Sequence, residues 1–123
     1  MRVLKIAIPA VSAVAILLSG SFLSAPSATA AEASAIDEGK KVAFNRKKGN
    51  CLACHAIEGG KLPGNIGPPL SDMKSRFPNK SDLKAQIFDA TANNPNTIMP
   101  PFGKHKILSQ KELDQVVEFI YSL

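Results

Sequence analysis

Cys51-Leu52-Ala53-Cys54-His55 is the stretch on which the reading of this 123-residue chain turns. The string has the form C-x-x-C-H, the signature of covalent haem attachment. Its spacing has a physical reason. Two cysteines three residues apart on one helical turn can each form a thioether to a vinyl group of the same porphyrin, while the adjacent histidine presents its imidazole to the iron. Cys51 and Cys54 are the only two cysteines in the chain, and a disulfide between them would close too short a loop to constrain the unfolded state. Thioredoxin-like chemistry belongs beside a βαβ pattern, which the sequence lacks. Zinc would need two further ligands at finger-like spacing, where only His105 remains. The expectation is one covalent haem c, with Cys51 and Cys54 as its thioethers and His55 as an iron ligand.

Haem iron takes a sixth ligand or keeps an open face, and that choice separates electron carriers from ligand-binding or catalytic haem proteins. The candidates are Met73, Met99 and His105. Met99 stands in Asn96-Thr97-Ile98-Met99-Pro100-Pro101, where two prolines restrict the backbone. A stiffened loop suits a weak thioether ligand, because little ordering entropy is left to lose on binding. Met73 falls in a segment that reads as a short helical turn, which favours packing, and His105 lies between Lys104 and Lys106, where a surface imidazole is the ordinary reading. Met99 is therefore the expected second axial ligand, which would raise the reduction potential. An iron-bound histidine usually donates its other ring N–H to a fixed acceptor. Gly67-Pro68-Pro69-Leu70 is the segment that offers one, through the Pro68 carbonyl, the alternative being a tight loop with no such role.

Upstream of the motif, Met1 to Lys5 is short and basic, Ile6 to Leu18 is apolar apart from Ser12, and Ala28-Thr29-Ala30 supplies small residues that a signal peptidase accepts. Crossing a bilayer takes about 20 apolar residues, and Ser19-Gly20-Ser21 ends this run early. The expectation is an export signal over residues 1–30 and one domain over 31–123, with no membrane attachment after cleavage. Loss of Arg2 and Lys5 lowers the formal charge from +5 to +3.

In the remaining chain, Ile36, Lys40, Ala43 and Phe44 share one face at helical spacing and predict a helix from Ala35 to Arg46. Seven glycines and prolines between Gly59 and Pro69 disfavour both helix interior and central strand. Ser71 to Phe77 reads as a short helical turn. Asn79 or Ser81 can cap a helix carrying Leu83, Ile87, Phe88 and Ala90, which stops at Asn93-Asn94-Pro95. Ser109 and Glu112 form a capping box before the stripe Leu113, Val116, Val117, Ile120, Tyr121. No period-2 run appears, so the fold class is all-α: three to five helices with long loops wrapped around the haem.

C-x-x-C-H, then Gly-Pro-Pro-Leu, then Met-Pro before an amphipathic last helix, in that order, resembles the class I cytochrome c domain. More narrowly, Ala43 to His55, Asp89-Ala90-Thr91, Asn94-Pro95 and Met99 to His105 resemble the SoxX family, the monohaem subunits of the SoxAX cytochromes of sulfur oxidation. The resemblance implies thioethers at Cys51 and Cys54, axial ligands His55 and Met99, and a Pro68 carbonyl holding His55. It also implies that Gly39 and Phe44 meet Phe119 where the first and last helices cross. A periplasmic heterodimer with a SoxA-type haem subunit is implied as well. That complex oxidatively couples thiosulfate to a cysteine of the SoxYZ carrier, the sulfur chemistry lying on SoxA, and this subunit passes electrons to a soluble acceptor cytochrome. With no third cysteine to carry sulfur, the chain is not catalytic alone. A freestanding class I cytochrome c carrier is the alternative.

Twelve basic residues between Lys40 and Lys106 give a cationic background. Export and the lack of a nucleic-acid motif argue against nucleic-acid binding. Lysines gathered around an exposed haem edge would steer an acidic partner.

Overall fold

The computed structural model describes residues 28–123. Its helices are α1 (Ala28–Phe44), α2 (Met73–Arg76), α3 (Lys80–Phe88) and α4 (Gln110–Tyr121), with single 3-10 turns at Cys51–Ala53 and Ala90–Ala92 and no strand among the described residues. The all-α expectation holds. The expected export signal lies outside the described residues except for Ala28–Ala30, which form the first turn of α1.

Helix α1 is already helical at Ala28, the first described residue, at least seven residues before the expected Ala35, and the alanine-rich stretch Ala28-Thr29-Ala30-Ala31 favours helix. It ends at Phe44. The amide of Gly49 then donates to the Val42 carbonyl at 3.2 Å, and that of Asn50 to the Asn45 carbonyl at 3.0 Å, closing a tight turn. Asn50 completes it in the left-handed conformation, φ 48°, which asparagine tolerates better than most residues.

Helix α4 has the expected capping box. The Ser109 side chain accepts from the Glu112 amide, and the Glu112 carboxylate accepts from the Ser109 amide at 3.0 Å. The helix buries Leu113, Val116, Val117, Phe119 and Ile120. Its largest interface is with α1. At that crossing a Cβ on Gly39 would lie 1.9 Å from the Gln115 carbonyl oxygen, so only glycine lets the two backbones approach this closely. Phe44 meets Phe119 edge to face, with ring centroids 5.8 Å apart. Ion pairs Lys80–Glu118 and Lys84–Asp114 join α3 to α4.

Helix α3 starts after Asn79, which takes the extended N-cap conformation, and stops at Phe88, short of the expected Asn93. Asp89 breaks it: its side chain accepts from the Thr91 amide and starts a separate 3-10 turn. No helix among the described residues is long and apolar enough to cross a membrane.

Candidate haem site

The motif folds as one tight turn because its backbone closes on itself. The Ala53 amide donates to Asn50, and the amides of Cys54 and His55 both donate to the Cys51 carbonyl. Both cysteines and His55 are half-buried. The glycine- and proline-rich segment then folds back onto this turn: the amides of Gly64, Gly67 and Leu70 donate to the carbonyls of Leu52, Cys54 and Ala56 at 2.7, 2.8 and 2.9 Å. A loop without helix or strand is thereby fixed by its backbone to the residues it serves.

That return sets His55. Its Nδ1 lies 2.7 Å from the Pro68 carbonyl oxygen. A carbonyl oxygen can only accept, so Nδ1 carries the hydrogen and donates it, leaving the Nε2 lone pair free for a metal. Gly67 lies against the imidazole face: a Cβ there would stand 2.4 Å from Cε1 and 2.6 Å from Nδ1. Sequence reading assigned Gly67 only to a loop. Its packing role has no local signature, because the contact joins segments twelve positions apart.

A cavity of about 590 Å³ opens beside this turn. Cys51, Cys54, His55, Pro68 and Met99 all line it, so the structure brings the five residues singled out from the sequence to one site. Apolar side chains, including Leu70, Phe77, Leu83, Ile87, Phe102, Val116 and Ile120, make up much of the remaining wall. Met73 also reaches the wall but is 1% exposed and belongs to the core. His105 is exposed and lies off the cavity lining.

The lining fits a porphyrin: apolar walls for the ring, two thiols from one turn, and an imidazole whose outer nitrogen is already engaged. Burial pushes the Cys51 thiol up to about 11, so it is protonated at neutral pH, unlike the low-pKa thiols of disulfide exchange. Among the described residues, no three His, Cys, Asp or Glu side chains gather where they could hold a metal ion.

Two features of the site went unread in the sequence. Arg76 lines the cavity, donates to the Pro69 carbonyl at 2.7 Å and lies 3.4 Å from the Met73 sulfur, bracing the loop that holds His55. Arg46 and Lys47 also line the cavity, as do Ile66 and Ile98, which are 63% and 74% exposed. By contrast, Lys41, Lys48, Lys80, Lys84 and Lys104 are held in ion pairs. The free basic charge is thus less than the composition implies.

Helices closed around a C-x-x-C-H turn, with a proline carbonyl behind the histidine and a methionine loop on the same cavity, define a class I cytochrome c domain. The chain belongs to the cytochrome family described as cytochrome c oxidase, cbb3-type, subunit III, whose model matches residues 34–120. With a single C-x-x-C-H string, it is a monohaem c-type cytochrome domain, an electron carrier whose cysteines imply covalent haem c. It is similar to the crystal structure of SoxXA from P. pantotrophus, with a TM-score of 0.63 and 26% identity, over 70% of this chain and 79% of that one. It is also 30% identical over 76 residues to an uncharacterized lipoprotein of Aquifex aeolicus (strain VF5); the match takes in 61% of this chain and 37% of the relative's length.

Proposed function

We propose that this chain is the electron-accepting monohaem subunit of a SoxXA-type cytochrome, exported to the periplasm with residues 1–30 removed. In this reading Cys51 and Cys54 form the thioethers, His55 and Met99 are the axial ligands, and the Pro68 carbonyl orients His55. The likeness to SoxXA carries it, together with the sequence strings around Cys51, Asp89 and Met99. Export has support from the basic-then-apolar leader and from the name of the Aquifex relative, a lipoprotein.

When bound, haem supplies a one-electron iron couple whose potential a methionine ligand raises. The chain's own residues do the rest. Pro68 fixes the tautomer of His55 and increases its basicity as a ligand. The apolar wall excludes water, and the exposed Ile66 and Ile98 on the cavity lining give a redox partner a short apolar approach. Joining thiosulfate to a carrier cysteine as an S-thiosulfonate releases two electrons. A SoxA-type partner performs that coupling on the SoxYZ carrier, and this subunit takes the electrons one at a time for a soluble acceptor cytochrome.

Two experiments test this. Gel filtration of the periplasmic fraction should show co-elution with a larger haem protein and reduction that depends on thiosulfate and the carrier. A lone monomer reduced equally by any donor would replace this reading with a freestanding carrier. Met99→Ala should abolish the weak long-wavelength iron–sulfur band of the oxidised protein and lower its potential, whereas Met73→Ala should keep the band while losing about 2–5 kcal/mol of stability, as buried methionines do. The opposite pattern would reassign the ligand.

A further inference from the structure

Met99 sits on a loop whose two ends meet. At the entry, the Asn94 amide donates to the Ala90 carbonyl at 3.1 Å; at the exit, the amides of Gly103 and Lys104 both donate to the Phe88 carbonyl at 3.1 Å. The Phe88 ring covers Gly103 so closely that a Cβ there would stand 2.0 Å from the ring. Residues 94–103 are thus a closed loop with its neck at the end of α3, and Thr97, Ile98 and Met99 carry it onto the cavity wall.

Asp89 occupies that neck. One carboxylate oxygen accepts from the Thr91 amide at 3.1 Å and from the Thr91 hydroxyl, on the entry side. The other accepts from the Lys104 ammonium at 2.7 Å, on the exit side. The Asp89 side chain is only 15% exposed, against 55% for Lys104. The Lys80–Glu118 and Lys84–Asp114 pairs join helix to helix and Lys48–Glu112 joins the α1 turn to α4; Asp89–Lys104 instead bridges the two ends of a loop. We propose that Asp89 is a positioning residue for Met99, its carboxylate fastening the two ends of the ligand loop through Thr91 and Lys104.

The physical case is one of competing freedoms. A thioether binds iron weakly, so it stays in place only if the loop carrying it has little entropy to regain on release. Pinning both ends of a short loop removes much of that entropy. The backbone bonds to Phe88 and Ala90 set the neck, and the carboxylate adds a charge-assisted clasp that spans it. The sequence strings Asp89-Ala90-Thr91 and Gly103-Lys104 then belong to one device, although twelve residues separate Thr91 from Lys104.

This inference rests on Met99 ligating the iron, and the experiment separates the two claims. Oxidised holoprotein, as wild type, Asp89→Asn, Lys104→Gln and the double variant, is titrated with urea, which leaves ion pairs unscreened. The long-wavelength iron–sulfur band and the far-UV circular dichroism are recorded in the same samples. In both single variants the band should fade at lower urea than in the wild type while the helical signal moves less. At a fixed sub-denaturing concentration, the methionine-off fraction should rise about two- to fivefold, the range of a partly exposed ion pair. The double variant should match the singles, because both remove one interaction. A band as resistant in Asp89→Asn as in the wild type, a band and helical signal that shift together, or additive effects in the double variant would overturn the clasp. A wild-type protein without the band would overturn Met99 ligation, and the clasp with it.

Discussion

Gly39→Ala tests the crossing on which the domain is hung. Alanine is the better helix former by about 1 kcal/mol, so on propensity alone the substitution inside α1 should stabilise. The structure gives the opposite sign. A Cβ at this position would stand 1.9 Å from the Gln115 carbonyl oxygen, 2.5 Å from its carbonyl carbon and 2.9 Å from the Phe119 Cβ. Ordinary contact begins at 3.4 Å, so the helices must separate by about 1.5 Å or tilt. The nearest atoms are backbone and cannot swing aside, which places the strain near the upper end of overpacking costs, about 3 kcal/mol. Subtracting the propensity gain leaves a net loss of about 2 kcal/mol. For a domain of this size that lowers Tm by about 8–16 °C. The separation also loosens the Phe44–Phe119 contact, since Phe119 meets both residues. Thermal melts of the holoprotein followed by far-UV circular dichroism decide the matter. An unchanged or higher Tm for Gly39→Ala would refute the close crossing.

Two further predictions follow from the site and from the capping box. Gly67→Ala places a Cβ 2.4 Å from the His55 ring, so the imidazole must turn and its hydrogen bond to Pro68 break. The yield of mature holoprotein and its low-spin absorption spectrum should both fall, and a spectrum identical to wild type would show that the ring has room to spare. Glu112 is held at about 2 by the Lys48 ammonium, then by the Ser109 amide and hydroxyl. A depressed carboxylate contributes stability that is fully present above its unfolded value near 4.5 and is lost as pH falls through the folded value. Glu112→Gln should therefore lose about 0.5–1 kcal/mol at pH 7, with the gap from wild type closing between pH 4.5 and 2; urea titrations across that range measure it, and a gap independent of pH would remove Glu112 from acid stability.

What could be read in advance was what depends on near neighbours. The Ser109–Glu112 box fixes the start of α4 within four residues, and its apolar stripe fixes the buried face. The C-x-x-C-H turn is equally local, so its residues could be placed on one cavity before any tertiary contact was known. Helix boundaries set by weaker local preferences were missed. Helix α1 extends upstream of Ala35 because nothing in Ala28-Thr29-Ala30-Ala31 opposes helix, and α3 stops early because the Asp89 side chain takes the Thr91 amide. Tertiary partners were out of reach altogether. Gly39 matters because of Gln115, Gly67 because of His55, and four lysines find carboxylates that only the fold brings near.

The core and the cavity are made of the same side chains. Met73, Leu83, Ile87, Phe102, Leu108, Val116 and Ile120 are at most 8% exposed and at the same time line the cavity wall. A domain this small has few apolar residues to spare, yet it turns much of its core toward this cavity. A porphyrin face is apolar and rigid, so it would pack against these side chains as another core residue would, and the thioethers proposed at Cys51 and Cys54 would make it part of the chain. The same logic explains the long segment from Ile57 to Leu70, which has no helix or strand and would be anomalous in a compact domain. Its amides return to the carbonyls of Leu52, Cys54 and Ala56, and its Pro68 carbonyl returns to His55. Residues that the sequence assigns to a loop thus hold the His55 imidazole in place.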